Sequence, residues 1–111
     1  MSKKPEYIPI EIYRAVREEC QQYYTRQKAI KSNEDKPSLS AAYREANRAN
    51  DVCFSEIFGD QTRFAEDIRQ DIALGRGWCK SDSCLYANRK LYDKMKRRVI
   101  FRLALSLGFS L

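Results

Sequence analysis

The sequence predicts an all-α domain. Apolar residues recur at three- and four-residue spacing over long stretches, no alternation of period two lasts more than a few residues, and the breaks between periodic segments are short. The 111 residues suffice for one domain with a modest core, but not for a catalytic domain beside a regulatory one. Residues 1–111 are therefore expected to form a single small domain of about four helices, ending in a long basic one.

Pro9 suits a first helical position, and Tyr13, Val16, Cys20, Tyr23 or Tyr24, and Ile30 mark the inward stripe of a helix over about 10–31. KSNEDKPS has no periodicity and reads as a surface loop. Ser38 or Ser40 is the expected cap of a second helix, with Leu39, Ala42 or Tyr43, Ala46, Ala49, Cys53 and Ile57 inward. Gly59 is placed to end it. Asp60 would then cap a short third helix that buries Phe64, Ala65, Ile68 and Ile72. GRGW at 75–78 is a break, after which Ser81, Asp82 or Ser83 caps a last helix that runs to about Ser106, where Gly108 stops it.

Charge is concentrated in that last helix. The chain carries 21 Lys and Arg against 15 Asp and Glu, a formal +6, and residues 89 to 102 alone hold seven bases and one acid. Everything before Arg89 balances. A local excess of this kind attracts nucleic acid or an anionic membrane surface, and the same residues also suit the solvated face of a bundle.

At 100° per residue the helix has two sides. Tyr92, Met95, Val99 and Leu103 form the stripe expected in the core. Roughly opposite lie Ser83, Tyr86, Ala87, Lys90, Lys94 and Arg97, with Arg98 beside them and the acids Asp82 and Asp93 along one edge. Phe101 falls beside this basic face, an isolated ring that gives weak support to a membrane-surface role.

The third helix, the glycine-containing break and the last helix together outline a helix-turn-helix unit over residues 60–106, with eight residues between Ile72 and Ser81 where three or four are usual. In that geometry Ser83, Tyr86, Ala87 and Lys90 approach base edges, and Lys94, Arg97 and Arg98 lie nearer the phosphates. Arg76 and Lys80, in the long turn, are further candidates for backbone contact. Trp78 reads as a core or hinge plug.

Other classes have less to rest on. Cys20 and Cys53 fall on apolar sides of helices, where free thiols act as small hydrophobes. A four-cysteine zinc site would need both to leave those helices and meet Cys79 and Cys84. With no histidine, catalysis would need clustered carboxylates or an activated Cys or Ser. Glu66, Asp67 and Asp71 read as a solvated face of the third helix, and Glu18, Glu19 and Glu45 likewise. No enzyme activity, cofactor or metal is expected. No stretch reaches the ~20 apolar residues of a membrane helix, and MSKKPEYIPIEIY lacks the apolar core of a signal peptide, so a cytoplasmic protein without a membrane partner is expected.

The stretch SDSCLYANRKLYDKMKRRVIFRLALSLGF resembles the C-terminal helix of the RinA/ArpU family of phage transcriptional regulators, which is similar to region 4 of sigma factors. By that resemblance Ser81 to Ser83 match a polar turn, Tyr86, Arg89 and Lys90 match recognition-helix positions, and Ile100, Leu103, Ala104, Leu107 and Gly108 match an aliphatic tail. VREECQQYYTRQKAI is faintly similar to the family's opening helix, through Tyr24, Lys28 and Ile30. Together the two stretches cover somewhat less than half the chain, and the GRGWCK segment and the alanine-rich second helix depart from the family's pattern. The resemblance implies control of phage or mobile-element genes through promoter DNA. Double-stranded DNA is thus the expected partner, with a host protein such as RNA polymerase as a second and oligomerisation left open. The rival expectation is a small phage protein that binds and modulates a host protein, which the seven tyrosines also suit.

Overall fold

The structure is a computed structural model and describes residues 8–75 and 88–110. Among these residues the chain forms four α-helices and no strand: α1 (Ile10–Ser32), α2 (Ala41–Phe58), α3 (Thr62–Leu74) and α4 (Arg89–Ser106), with a 3-10 turn at Pro37–Ser40 before α2. It is the small all-α domain that the periodicity predicts.

Helix α1 starts one residue later than the proline suggests. Pro9 is extended (φ −53°, ψ 140°) and acts as the N-cap, its carbonyl accepting from the Tyr13 N–H at 3.0 Å. Ile12, Val16, Cys20 and Tyr23 are buried, and Tyr13 packs against the edge of the core. At the far end the Asn33 side chain donates to the Ala29 carbonyl at 2.8 Å, satisfying one of the carbonyls that a helix end leaves open.

The inward face of α2 is not the one predicted. Leu39 is 65% exposed and Tyr43 46%, and Ala42 and Ala49 also face outward. Cys53 is buried and Ile57 packs partly buried against the core, as predicted, but Asn47, Asn50, Phe54 and Phe58 fill the rest of the inward face. The asparagines can turn inward because each finds partners there. Asn47 donates to the Tyr23 carbonyl and accepts from Arg26, and Asn50 donates to Glu19 and accepts from Arg69. A buried amide with both ends occupied avoids the 1–3 kcal/mol or so that an unsatisfied polar group costs. Ser40 stands at the N-cap, but its hydroxyl donates back to the Pro37 carbonyl and not into the helix.

Gly59 ends α2 as expected, with φ +62° and its N–H donating to the Ser55 carbonyl at 2.8 Å. The next cap is Gln61, one residue after Asp60, and neither side chain bonds the helix start. Phe64, Ala65, Ile68 and Ile72 point inward as the spacing predicts. Rings link the helices from there: Phe54 stacks on Phe58, Phe58 meets Phe64 at 5.1 Å, and Phe64 stacks on Tyr92 of α4 at 6.2 Å. Full burial of one such side chain stabilises by about 1.5–3 kcal/mol.

The carboxylates of α3 are not the solvated face that the sequence suggests. Asp67 and Asp71 are buried, and Glu66 is partly covered. Arg69, 5% exposed, lies between the helices, with Glu66 at 2.7 Å, Asp51 at 2.8 Å and Asn50 at 3.1 Å, and its guanidinium lies over the rings of Tyr23 and Phe54. Glu19, also predicted to be solvated, bonds Arg26 and Asn50, and Tyr24 donates to Glu66. Glu18 and Glu45 are exposed as expected.

Val99 is wholly buried between these layers. Val99→Asp should place an unpaired carboxylate there and cost about 3–5 kcal/mol, enough for a circular-dichroism melt to show an unfolded or barely folded chain. Burial raises the Cys20 thiol from 9.0 to about 12 and the Tyr23 hydroxyl from 10.0 to about 12. Each is neutral in the fold, so the stability this contributes is complete below the unfolded values and is lost as pH rises through the folded ones. The melting temperature is expected to fall between about pH 9 and 12, and Cys20→Ala should reduce that fall without abolishing it, because Tyr23 remains.

Candidate nucleic-acid interface

The basic helix begins later than Ser81–Ser83 suggests. Asn88 is extended (φ −77°, ψ 162°) and caps α4, its side-chain oxygen accepting from the Leu91 N–H at 2.8 Å. Asparagine is as good a cap as serine or aspartate. Ser83, Tyr86 and Ala87, and Arg76, Trp78, Cys79, Lys80 and Cys84, lie outside the described residues. Of the predicted site, Lys90, Lys94, Arg97 and Arg98 belong to α4.

One side of α4 is anchored inward as the wheel predicts. Tyr92, Val99 and Leu103 are buried, Met95 is half-buried, and Ile100 and Ala104 extend the stripe. The anchor at the start is polar. Tyr92 donates its hydroxyl to Asp71, which is 0% exposed, and Lys96 one turn on reaches the same carboxylate with its ammonium 3.0 Å away. Two bonds at i and i+4 to one fixed acceptor leave the helix a single rotation.

That rotation sorts the seven bases of residues 89–102. Lys96 is taken by Asp71, Arg102 by Glu56 of α2, and Arg89 lies 3.7 Å from Asp93 on the exposed flank. The Arg102 guanidinium holds the Glu56 carboxyl below the usual carboxylate range. Lys90, Lys94, Arg97 and Arg98 make no ion pair among the described residues, and all four are exposed. They occupy an arc of about 100° over about 12 Å of helix. Asp93, the acid at the edge of this face, is drawn to Arg89 on the far flank. Helix α1 does not cover the arc, although Ile8 and Tyr13 lie near Arg97 in a shallow depression shared with Asp93, Lys96 and Ile100.

Phe101 departs from the expectation. It falls between Lys94 and Arg97 in angle, yet it is 2% exposed, so this ring does not stand at the surface beside the bases. Burial of so large a ring is the expected outcome wherever neighbours can cover it. Two exposed residues beside the candidate face carry no mark in the sequence pattern. Arg63, an exposed base without an ion pair among the described residues, stands at the start of α3, and Leu91 is exposed in the first turn of α4. Both line a depression between the two helix starts, to which only the helix-turn-helix outline could have pointed.

No family model, curated protein or solved structure matches the chain. Among the described residues no helix is long and apolar enough to cross a membrane.

Lys96→Met should remove one positive charge beside Asp71 while keeping the length of the side chain. A cost of about 2–3 kcal/mol is expected, below that of a fully buried pair because the lysine side chain is 22% exposed. A urea midpoint equal to that of the unmodified protein would show that the Lys96–Asp71 pair adds nothing to the hold on α4.

Proposed function

We propose that the protein is a non-catalytic, DNA-binding regulator of transcription whose α4 contacts duplex DNA through Lys90, Lys94, Arg97 and Arg98. One observation carries the reading: of the seven bases in the helix, the four without an acid partner among the described residues share one exposed face. Long cationic side chains at this density exchange condensed counterions for phosphates, and the affinity gained is insensitive to sequence. A face whose only task was solubility would not need its acid, Asp93, drawn to the flank. Placing this activity in a phage or mobile element, with RNA polymerase as a further partner, rests on the resemblance to the RinA/ArpU regulators alone.

The cap at Asn88 changes how the helix would be used. With α4 starting at Arg89, the positions nearest base edges are those of its first turn, and Lys94, Arg97 and Arg98 fall to the phosphates. Lys94→Ala combined with Arg97→Ala should weaken binding to all duplexes by similar factors and lower the slope of log affinity against log salt by about two. Titrations of fluorescent duplexes at two salt concentrations read both effects. If the unmodified protein has no salt-sensitive affinity for DNA, the basic face serves an acidic protein partner instead, and the protein would be a modulator of a host factor.

A further inference from the structure

Helices α2 and α4 run antiparallel, with Arg102 at Glu56 and, farther on, Leu103 and Leu107 beside Ala46 and Ala49. Helix α4 has ended by Leu107, so the described residues leave the first turns of α2 open. Leu39, Ala42 and Tyr43 are exposed there, as is Leu107, and Leu39 projects furthest at 65% exposed. Single exposed leucines are ordinary on a protein surface. These residues adjoin one another. Positions 39, 42, 43 and 46 are neighbours at three- and four-residue spacing, and Ala46 shares a shallow depression with Ala49, Leu103 and Leu107. The run 37–43, PSLSAAY, holds no charge in a chain of which 32% of the residues are charged, and depletion of charge at the centre marks a contact surface.

The shape of this face selects its occupant. An interface across a two-fold axis is complementary to itself, residue i meeting j while j meets i. A two-fold axis passing between Ala42 and Tyr43, with the two α2 helices antiparallel, exchanges position 39 with position 46. Leu39 of each copy then lands at Ala46 of the other, on the depression where Leu107 stands. A projecting side chain and its receptor at this separation on one face are what a second copy of the chain requires, and an unrelated partner does not. Alanine at positions 42 and 46 lets the helices approach to the short end of the usual interaxial distance. Charge is complementary too: the same axis sets the exposed Lys36 of one copy within about one helical turn of the exposed Glu45 of the other. The basic arcs, each about 20 Å along α4 from Leu107, stay apart by more than the Debye length of about 8–10 Å. Both arcs remain uncovered.

We infer that the protein forms a symmetric dimer through the first turns of α2 and the end of α4, Leu39 of each copy seating against Ala46 and Leu107 of the other. The inference does not depend on DNA and is tested without it. Sedimentation equilibrium of the full chain from about 1 μM to about 1 mM should show monomer giving way to dimer. Leu39→Ala truncates two seated side chains per dimer and should raise the dissociation constant at least about tenfold. Ala42→Glu sets two carboxylates beside the axis and should leave only monomer, as should Ala42→Lys with two ammonium groups. An equimolar mixture of the Glu and Lys variants is expected to dimerise again, because each carboxylate then meets an ammonium. All three positions changed are exposed on the monomer, and a circular-dichroism melt checks each fold. Unmodified protein that is monomeric throughout overturns the inference. So does a dimer that these variants leave unchanged, which would use another face, and so does a Glu and Lys mixture that stays monomeric, which would remove Ala42 from the axis.

Discussion

The carboxylate of Asp71 sets the rotation of the basic helix. It is wholly buried in α3, and it takes the Tyr92 hydroxyl and the Lys96 ammonium from successive turns of α4. Hydrophobic contact alone would tolerate a helix turned by some tens of degrees, because dispersion and apolar burial have little direction. Hydrogen bonds do have direction. Fixing residues 92 and 96 toward α3 determines that residues 90, 94, 97 and 98 face away from it.

A second polar centre holds the other three helices. Arg69 is offset by Glu66 and Asp51 and clasped by Asn50, while Tyr23 and Phe54 cover its faces. Burying a guanidinium is costly unless such partners are complete. In return it specifies which faces of α1, α2 and α3 meet, a task that the small apolar set between them would perform loosely.

The two polar centres also explain which parts of the fold are legible in the sequence. Phe64, Ile68 and Ile72 in α3 and Tyr92, Val99 and Leu103 in α4 are where the 3.6-residue period puts them. Their burial depends on apolar surface, a property each residue carries alone. Asn47, Asn50, Asp71 and Arg69 carry no such mark, since a polar residue is buried only when partners elsewhere in the chain meet it. Apolar spacing alone therefore rotates α2 away from its true face and puts the acids of α3 in water. The bases of α4 have the same ambiguity. The wheel puts Lys96 on the side of Tyr92 and Lys94 opposite, but only Asp71, far back in the chain, shows that a lysine on the inner side is held there by a buried acid. Nor can local chemistry choose between Ser83 and Asn88 as a cap, because both are favourable.

Asn50 and Asn88 show opposite chemical vulnerability as the protein ages. Deamidation converts an asparagine amide into a carboxylate. At Asn88 the oxygen that caps α4 is retained, and aspartate serves a helix start equally well. At Asn50 the group removed is the NH2 that donates to Glu19, and the new oxygen would confront that carboxylate inside the domain. The helical backbone around Asn50 opposes the reaction by holding the Asp51 peptide nitrogen away from the side-chain carbonyl carbon it would have to attack. The fold thus shields the amide whose conversion would set two carboxylates against each other inside the domain.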